Sequence, residues 1–330
     1  MLYEESGVNI KGGEDFAHYI KQKIKHASGF YPDFAWGFDL AEKIKDIKDP
    51  FIVYSTDGIG TKIKLAIQYK NVGGLGKDLL AMCVNDILVL GARPIVFLDY
   101  IAVSNIKNPN LRPFMDGLLN ALSEEGIELG GGETAELPDL LKEDEFDVAG
   151  FVIGIVSKNK ITKNEHVKEK DVVLAIPSSG VHSNGYSLVR HILNKKNIDA
   201  EKVFIENKSL IEILLNPTRI YTKDLLKFFE KGIVHGAAHI TGGGIEGNLK
   251  RTLNKDVNAI IYKDRIRVHP VFKYIQDIGD VPEDEMWRVF NMGVGFILIV
   301  SKEHVDAITK SADAYPIGEV ARGEGEVVMK

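Results

Sequence analysis

The chain has 330 residues, 45% of them hydrophobic and 27% charged, and carries a formal net charge of −6. That is the composition of an ordinary soluble globular protein with room for two domains, and the acidic balance offers no basic footprint for nucleic acid. Cys83 is the single cysteine, which excludes an intramolecular disulfide and a cysteine-rich metal cluster and points to a reducing cytoplasm. No run approaches the length of a membrane span, and residues 1–5 are acidic where a signal peptide is basic.

Phe16, Ile20 and Ile24 recur at helical spacing among Lys21, Lys23 and Lys25, which predicts a short amphipathic helix. The stretch 29–38 is too rich in aromatics for a disordered loop and is expected to cover a ligand or the edge of a core. Phe51-Ile52-Val53-Tyr54 reads as a buried strand that empties into Ser55-Thr56-Asp57-Gly58-Ile59-Gly60-Thr61-Lys62. One carboxylate, two glycines that admit positive φ, a hydroxyl and an ammonium then meet at a sheet edge. These parts suit a phosphate that carries a metal ion. A tight turn with a solvated Asp57 and Lys62 is the plainer alternative. The stretch is no Walker A loop, because Lys62 follows a threonine, and no dinucleotide fingerprint, because Ile63 stands where glycine is needed.

Residues 75–90 predict a buried helix, apolar around most of its circumference. Asp78, Asn85 and Asp86 on that helix each require a donor, a cation or a proton. No basic residue lies near Asp86 on the helix, so contact with a metal or ligand is favoured over a local ion pair. A strand at 95–103 and a helix at 111–125 follow. Gly130-Gly131-Gly132-Glu133-Thr134-Ala135-Glu136 then repeats the earlier logic: open backbone followed by carboxylate and hydroxyl. Asp57, Asp86 and Glu133 form an acidic set of the kind that Mg2+ requires beside phosphates. After a strand at 147–156, a polar, lysine-rich connection divides the chain into an N-terminal domain, 1–160, and a C-terminal domain, 161–330.

The second half opens with a strand at 172–176, a Ser/Gly turn through His182-Ser183-Asn184-Gly185 and a helix at 186–194. That order makes an anion site. His182 stands among hydroxyls as a proton donor or acceptor near neutral pH, or as a surface side chain with no role. Pro217-Thr218-Arg219 opens a helix through Phe229. Gly242, Gly244 and Gly247 satisfy G-x-G-x-x-G, but residues 248–253 are short for a crossover helix, which argues against a dinucleotide site. Strands at 257–262 and 295–300 and a helix at 303–313 complete the chain, with no tandem repeat.

These motifs, in this order, resemble the aminoimidazole ribonucleotide (AIR) synthetase family, the phosphoribosylformylglycinamidine cyclo-ligases. The resemblance runs from Tyr3-x-x-x-Gly7-Val8 to the C-terminus. It rests on Thr56-Asp57-Gly58-Ile59-Gly60-Thr61-Lys62, Ala81-Met82-Cys83-Val84-Asn85-Asp86, Gly131-Gly132-Glu133-Thr134-Ala135-Glu136, Phe146-Asp147-Val148-Ala149-Gly150-Phe151, His182-Ser183-Asn184-Gly185-Tyr186, Pro217-Thr218-Arg219-Ile220-Tyr221 and Asn291-Met292-Gly293-Val294-Gly295.

The resemblance implies a two-domain α/β (α+β) fold and a homodimer in which N-terminal strands of both chains share a barrel. It implies an ATP- and Mg2+-dependent ring closure of formylglycinamidine ribonucleotide in purine synthesis, by way of an iminophosphate. Under it, Asp57, Asp86 and Glu133 are metal ligands, and Lys21, Gly58, Gly60, Thr61, Gly131, Gly132 and Thr134 bind ATP. Asp57, Lys62, His182 and Asn184 are the catalytic candidates, the last two facing the substrate. Three departures fall early in the chain. Glu4 and Asn9 replace the usual Lys and Asp, and the glycine-rich run before the first strand is reduced to Phe34-Ala35-Trp36-Gly37-Phe38.

Relatives on the same scaffold fit less well. Selenophosphate synthetases carry a reactive Cys or selenocysteine near the N-terminus, and the hydrogenase-maturation relative ends in a modifiable Cys; this chain has neither. A thiamine-phosphate kinase does not explain His182-Ser183-Asn184-Gly185-Tyr186. A catalytically silent nucleotide-binding protein does not explain an intact acidic set.

Overall fold

The computed structural model describes residues 9–24 and 35–330; Tyr3, Glu4, Gly7, Val8 and the aromatics from Phe30 to Phe34 lie outside the described residues. The chain divides into two compact units, Met1–Ile87 with Pro94–Ser157 and Leu88–Arg93 with Lys158–Lys330.

The first unit runs α1 (Ile10–Lys23), α2 (Leu40–Ile44), β1 (Pro50–Gly58), α3 (Lys62–Gln68), α4 (Leu75–Leu88), β2 (Arg93–Val103), α5 (Leu111–Glu125), β3 (Glu128–Glu136) and β4 (Phe146–Ser157). Its four strands lie in the order β1-β4-β2-β3, with β1 antiparallel to β4 and β2 parallel to β3. Side chains alternate between the two faces. On one face Val53, Phe97, Val148 and Val152 are buried, and α4 and α5 supply the cover through Cys83 and Phe114. The two helices approach closely because glycines line the crossing: a Cβ on Gly117 would lie 1.8 Å from the Gly73 carbonyl oxygen. The other face keeps Ile52, Tyr54, Tyr100 and Phe151 substantially exposed. Phe38, Ile44 and Ile47 cover only the part of it around Ile153 and Ile155.

Two expected loops are strand. β1 continues through Ser55, Thr56, Asp57 and Gly58, because the facing backbone of Ala149–Val152 in β4 supplies ladder partners for each of them. The triglycine run lies inside β3 and pairs with β2, at the cost of a register shift between Phe97 and Leu98. Gly131 takes up the irregularity at φ +140, where a Cβ would also strike the Trp36 ring at 2.8 Å.

The second unit contains β5 (Val172–Pro177), α6 (Tyr186–Lys195), the hairpin β6 (Phe204–Ile205) and β7 (Lys208–Ser209), α7 (Leu210–Leu214), α8 (Thr222–Glu230), β8 (Val234–His239), α9 (Gly244–Leu249) and β9 (Val257–Ile261). It continues with α10 (Pro270–Gly279), α11 (Glu283–Val289), β10 (Val294–Val300), α12 (Val305–Ser311), β11 (Tyr315–Arg322) and β12 (Val327–Met329). Six strands form one sheet in the order β12-β9-β11-β5-β10-β8. β10 is buried along its whole length because the sheet has a core on each face. Ile297 and Ile299 enter one core, and Phe296, Leu298 and Val300 enter the other. A continuous apolar run is what a strand covered on both sides requires. α9 has only six residues, too few for the crossover helix of a dinucleotide fold. α8 begins five residues later than expected, because Pro217–Tyr221 spends its polar groups on neighbouring loops.

Candidate active site

In the first unit the end of β1, the turn after it and α4 form one constellation. Ser55 Oγ donates to Asp86 Oδ2 at 3.3 Å, and strand alternation puts Asp57 on the same face as Ser55. Cys83 of α4 lies beside the Asp57 carbonyl. Burial holds the Cys83 thiol far above its ordinary value, the charges of Asp57 and Asp86 add to the rise, and the group is left inert. Asp57 Oδ1 accepts the N–H of Gly58 at 2.8 Å, which turns the carboxylate back over its own loop. Gly60 follows at φ +69 with open space around it, the conformation and clearance that an approaching anion needs.

Lys62 departs from the expectation of a catalytic ammonium at an open edge. Its side chain is wholly enclosed, and Nζ lies 2.9 and 2.8 Å from the two carboxylate oxygens of Asp78, itself fully buried. Burial pushes the ammonium below its usual value against the opposing pull of Asp78. The side chain faces inward and ties the loop to α4.

Glu133 also departs from expectation. Asp57 faces Gly150 across the β1–β4 ladder, and a Cβ on Gly150 would meet Phe97 and Cys83, so Asp57, Phe97 and the α4 thiol share a face. Glu133 pairs with Tyr100, three residues from Phe97 and therefore on the opposite face. Asp57 lies on the sheet face from which Ser55 reaches Asp86, and Glu133 lies on the other. Among the described residues no group of three or more His, Cys, Asp or Glu side chains could hold a metal ion. Two carboxylates still fit a hard cation whose remaining ligands are phosphate and water oxygens.

The glycines of β3 border a pocket of about 530 Å3 whose walls include Trp36, Phe38, Leu98, Tyr100 and Phe151. Asp99 belongs to its lining and is only 6% exposed; burial pushes its carboxyl up to about 7. A Cβ on Gly132 would fall 2.4 Å from Asp99 Oδ1, so the carboxyl occupies the space that Gly132 leaves. Thr134 follows, half-buried, and pairs with Ile101. Lys21 is exposed in the last turn of α1, while its neighbour Lys23 bonds Asp116 of α5. Asn9 caps α1 by accepting the Gly12 N–H at 2.9 Å, a task that Asp would perform equally. Its own N–H donates to Glu136, whose other oxygen accepts from Ile106 at 2.8 Å.

The second unit builds its constellation where β5, β8 and β10 end. His182 sits at φ +64, is 2% exposed, and accepts the Ser179 N–H at Nε2, 3.0 Å away. Its ring packs against Tyr221, whose hydroxyl donates to the Pro177 carbonyl at 2.9 Å. Both rings are admitted by Gly295, where a Cβ would lie 2.6 Å from His182 Cε1 and 1.9 Å from the Tyr221 oxygen. The expected open, substrate-facing imidazole is thus enclosed. Asn184 is half-buried, with Oδ1 beside Gly242 of the β8–α9 turn. Asn291 staples the Ser/Gly turn: Nδ2 donates to the carbonyls of Gly180 and Val181, and Oδ1 accepts from Ser178 and Gly293. Ser183 and Thr218 share a hydroxyl bond of 3.0 Å, which joins the turn to the loop before α8.

Residues 43–156 match the family described as AIR synthase related protein, N-terminal domain, and residues 168–330 match its C-terminal domain. The chain belongs to the AIR synthase family. A phosphoribosylformylglycinamidine cyclo-ligase of Streptococcus sanguinis (strain SK36) is 40% identical over 334 aligned positions, 99% of this chain and 98% of that protein. Solved structures of the same fold include thiamine-monophosphate kinase from Stenotrophomonas maltophilia K279a, at TM-score 0.66, 16% identity and 95% coverage of both chains. Another is the hydrogenase maturation protein HypE in complex with ATP, at TM-score 0.67 and 17% identity, covering 98% of this chain and 92% of that one. The sequence motifs at Thr56–Lys62, Ala81–Asp86 and His182–Tyr186 fall on these two constellations. Asp99 and the pairing of Lys62 with Asp78 are not foreseen from the sequence, and Glu136 and Asn291 stand within quoted motifs without an assigned role.

Proposed function

We propose that this chain closes the imidazole ring of AIR, using ATP to convert formylglycinamidine ribonucleotide to 5-aminoimidazole ribonucleotide with release of ADP and phosphate. The full-length 40% identity to a phosphoribosylformylglycinamidine cyclo-ligase carries this reading. An amide oxygen is a poor nucleophile and its carbon a poor electrophile. Transfer of the γ-phosphoryl to the formyl oxygen gives an iminophosphate; the amidine nitrogen then attacks the former formyl carbon, and that oxygen departs with phosphate. Little of this requires covalent work by protein groups, so positioning and neutralisation of charge carry the catalysis.

The first unit supplies the nucleotide end. Gly58, Gly60 and Thr61 form the phosphate turn, with the N–H groups of Gly60 and Thr61 as donors, and Asp57 and Asp86 would hold Mg2+, which supplies positive charge at the phosphates. Gly131, Gly132 and Thr134 of β3 are assigned to ATP as well, and Lys21 is an accessory cation. The second unit supplies the substrate end, with Asn184 as the contact and His182 as the residue that shapes the turn presenting it. We assign the N-terminal domain, 1–160, to ATP and the C-terminal domain, 161–330, to the ribonucleotide. The exposed apolar sheet face at Ile52, Tyr54, Tyr100 and Phe151 supports a homodimer joined through it. We assign the enzyme to the cytoplasm, the compartment that a chain with one buried, unpaired cysteine suits.

Incubation with Mg-ATP and the formylglycinamidine ribonucleotide should yield one ADP and one AIR per turnover. Thiamine phosphate as acceptor tests the alternative kinase reading. Phosphorylation of thiamine phosphate without ring closure would replace the present reading with that one.

A further inference from the structure

Four facts about α3 and α4 belong together. Lys62 is the first residue of α3 and directly follows the Asp57–Thr61 turn. Its Nζ sits within 2.9 Å of both oxygens of Asp78 in the first turn of α4, and neither side chain has any exposed surface. Eight residues further along α4, about two helical turns, Asp86 accepts from Ser55 of β1. The turn is therefore tied at both ends to one helix, before it through Ser55–Asp86 and after it through Lys62–Asp78.

Stability alone does not account for this choice. Two charges withdrawn from water lose more hydration than their attraction returns unless geometry is very good, and an apolar pair of equal volume often serves a core as well or better. The other enclosed side chains of α3, Ile63, Leu65 and Ala66, are all apolar. A directional link is what an apolar pair cannot provide.

We propose that Lys62 and Asp78 are a positioning pair: their bond fixes the start of α3, and with it the N–H groups of residues 59–61, against the helix that carries Asp86. The pair touches neither nucleotide nor substrate. This rests on the turn being the phosphate site of the reading above.

The test replaces both partners. In Lys62→Met with Asp78→Leu the side-chain skeletons are nearly kept and the link is removed; in Lys62→Gln with Asp78→Asn a neutral hydrogen-bonded link is kept. Thermal unfolding, calorimetric Kd for a non-hydrolysable Mg-ATP analogue, and KM for each substrate are measured on the full chain. The Met/Leu chain should melt within a few degrees of wild type, bind the analogue at least tenfold more weakly, and keep its KM for formylglycinamidine ribonucleotide. The Gln/Asn chain should recover Kd to within about threefold.

A Met/Leu chain with wild-type Kd, or a Gln/Asn chain no better than Met/Leu, overturns the proposal. So does a Met/Leu chain that fails to fold, since the core would then be what needs the pair. A wild-type chain without ATP-dependent ring closure sinks the functional reading, whereas active wild type with an indifferent double variant sinks the pair alone.

Discussion

Nε2 of His182 accepts a hydrogen bond from the backbone N–H of Ser179 at 3.0 Å, across a turn whose other side is pinned by Asn291. The imidazole is an internal strut. His182→Ala leaves the half-buried Ser179 N–H without its acceptor and opens a void in the core beside Tyr221, and should cost about 1–3 kcal/mol of stability. In steady-state kinetics the loss should appear as a raised KM for formylglycinamidine ribonucleotide with kcat within tenfold. A fall in kcat of ~10²–10⁴ with one limb of the pH profile gone would identify a general acid or base instead.

Asp99 sets a pH dependence of stability. Its carboxyl ionises near 7 in the folded protein and near 3.8 when unfolded, because burial disfavours the charge. Below pH 3.8 both states hold the proton and the group is neutral to stability. Between these values the unfolded chain alone releases it, so folding weakens as pH rises, by roughly 4 kcal/mol at most once above 7. Asp99→Asn removes the titration. Melting curves from pH 4 to 8 should show the variant gaining on wild type up to about pH 7 and level thereafter; a constant difference would contradict the assignment.

Asp86 and Glu133 should separate under the same substitution chemistry. Asp86→Asn is nearly isosteric and should leave the melting temperature close to wild type while Mg2+-dependent nucleotide binding is lost. Glu133→Gln, on the other face of the sheet, should leave the Mg2+ dependence of nucleotide binding unchanged. Titration of nucleotide with and without Mg2+ reads both.

Tyr54, 79% exposed on an apolar sheet face, is the point at which to break association. Tyr54→Glu places a charge where desolvation would be required and should yield a folded monomer by analytical ultracentrifugation at micromolar concentration. An unaltered sedimentation coefficient would remove this face from the interface.

Much of this architecture is legible in the sequence, and its failures share a cause. Helices at α1, α4 and α5 and strands at β2, β4 and β10 follow from apolar period and length, signals carried within one segment. The strand character of Ser55–Gly58 and of the triglycine run is not so carried, because it depends on ladder partners in β4 and β2. Site motifs stand out because glycine beside carboxylate or hydroxyl is a local pattern. Side-chain direction was hidden. Lys62 faces inward because Asp78, 16 residues away, receives it; His182 faces inward because Gly295 leaves room. Glu133 parts from Asp57 by the parity of a register that no single strand reveals.

The most direct measurement follows the oxygen. Formylglycinamidine ribonucleotide labelled with 18O in its formyl group is turned over with unlabelled Mg-ATP in unlabelled water, and the phosphate is analysed by mass. If ATP activates the formyl oxygen, each AIR formed delivers one 18O to one inorganic phosphate. Label lost to water, with unlabelled phosphate and AIR still formed, would show that ATP acts elsewhere and contradict the account at its centre.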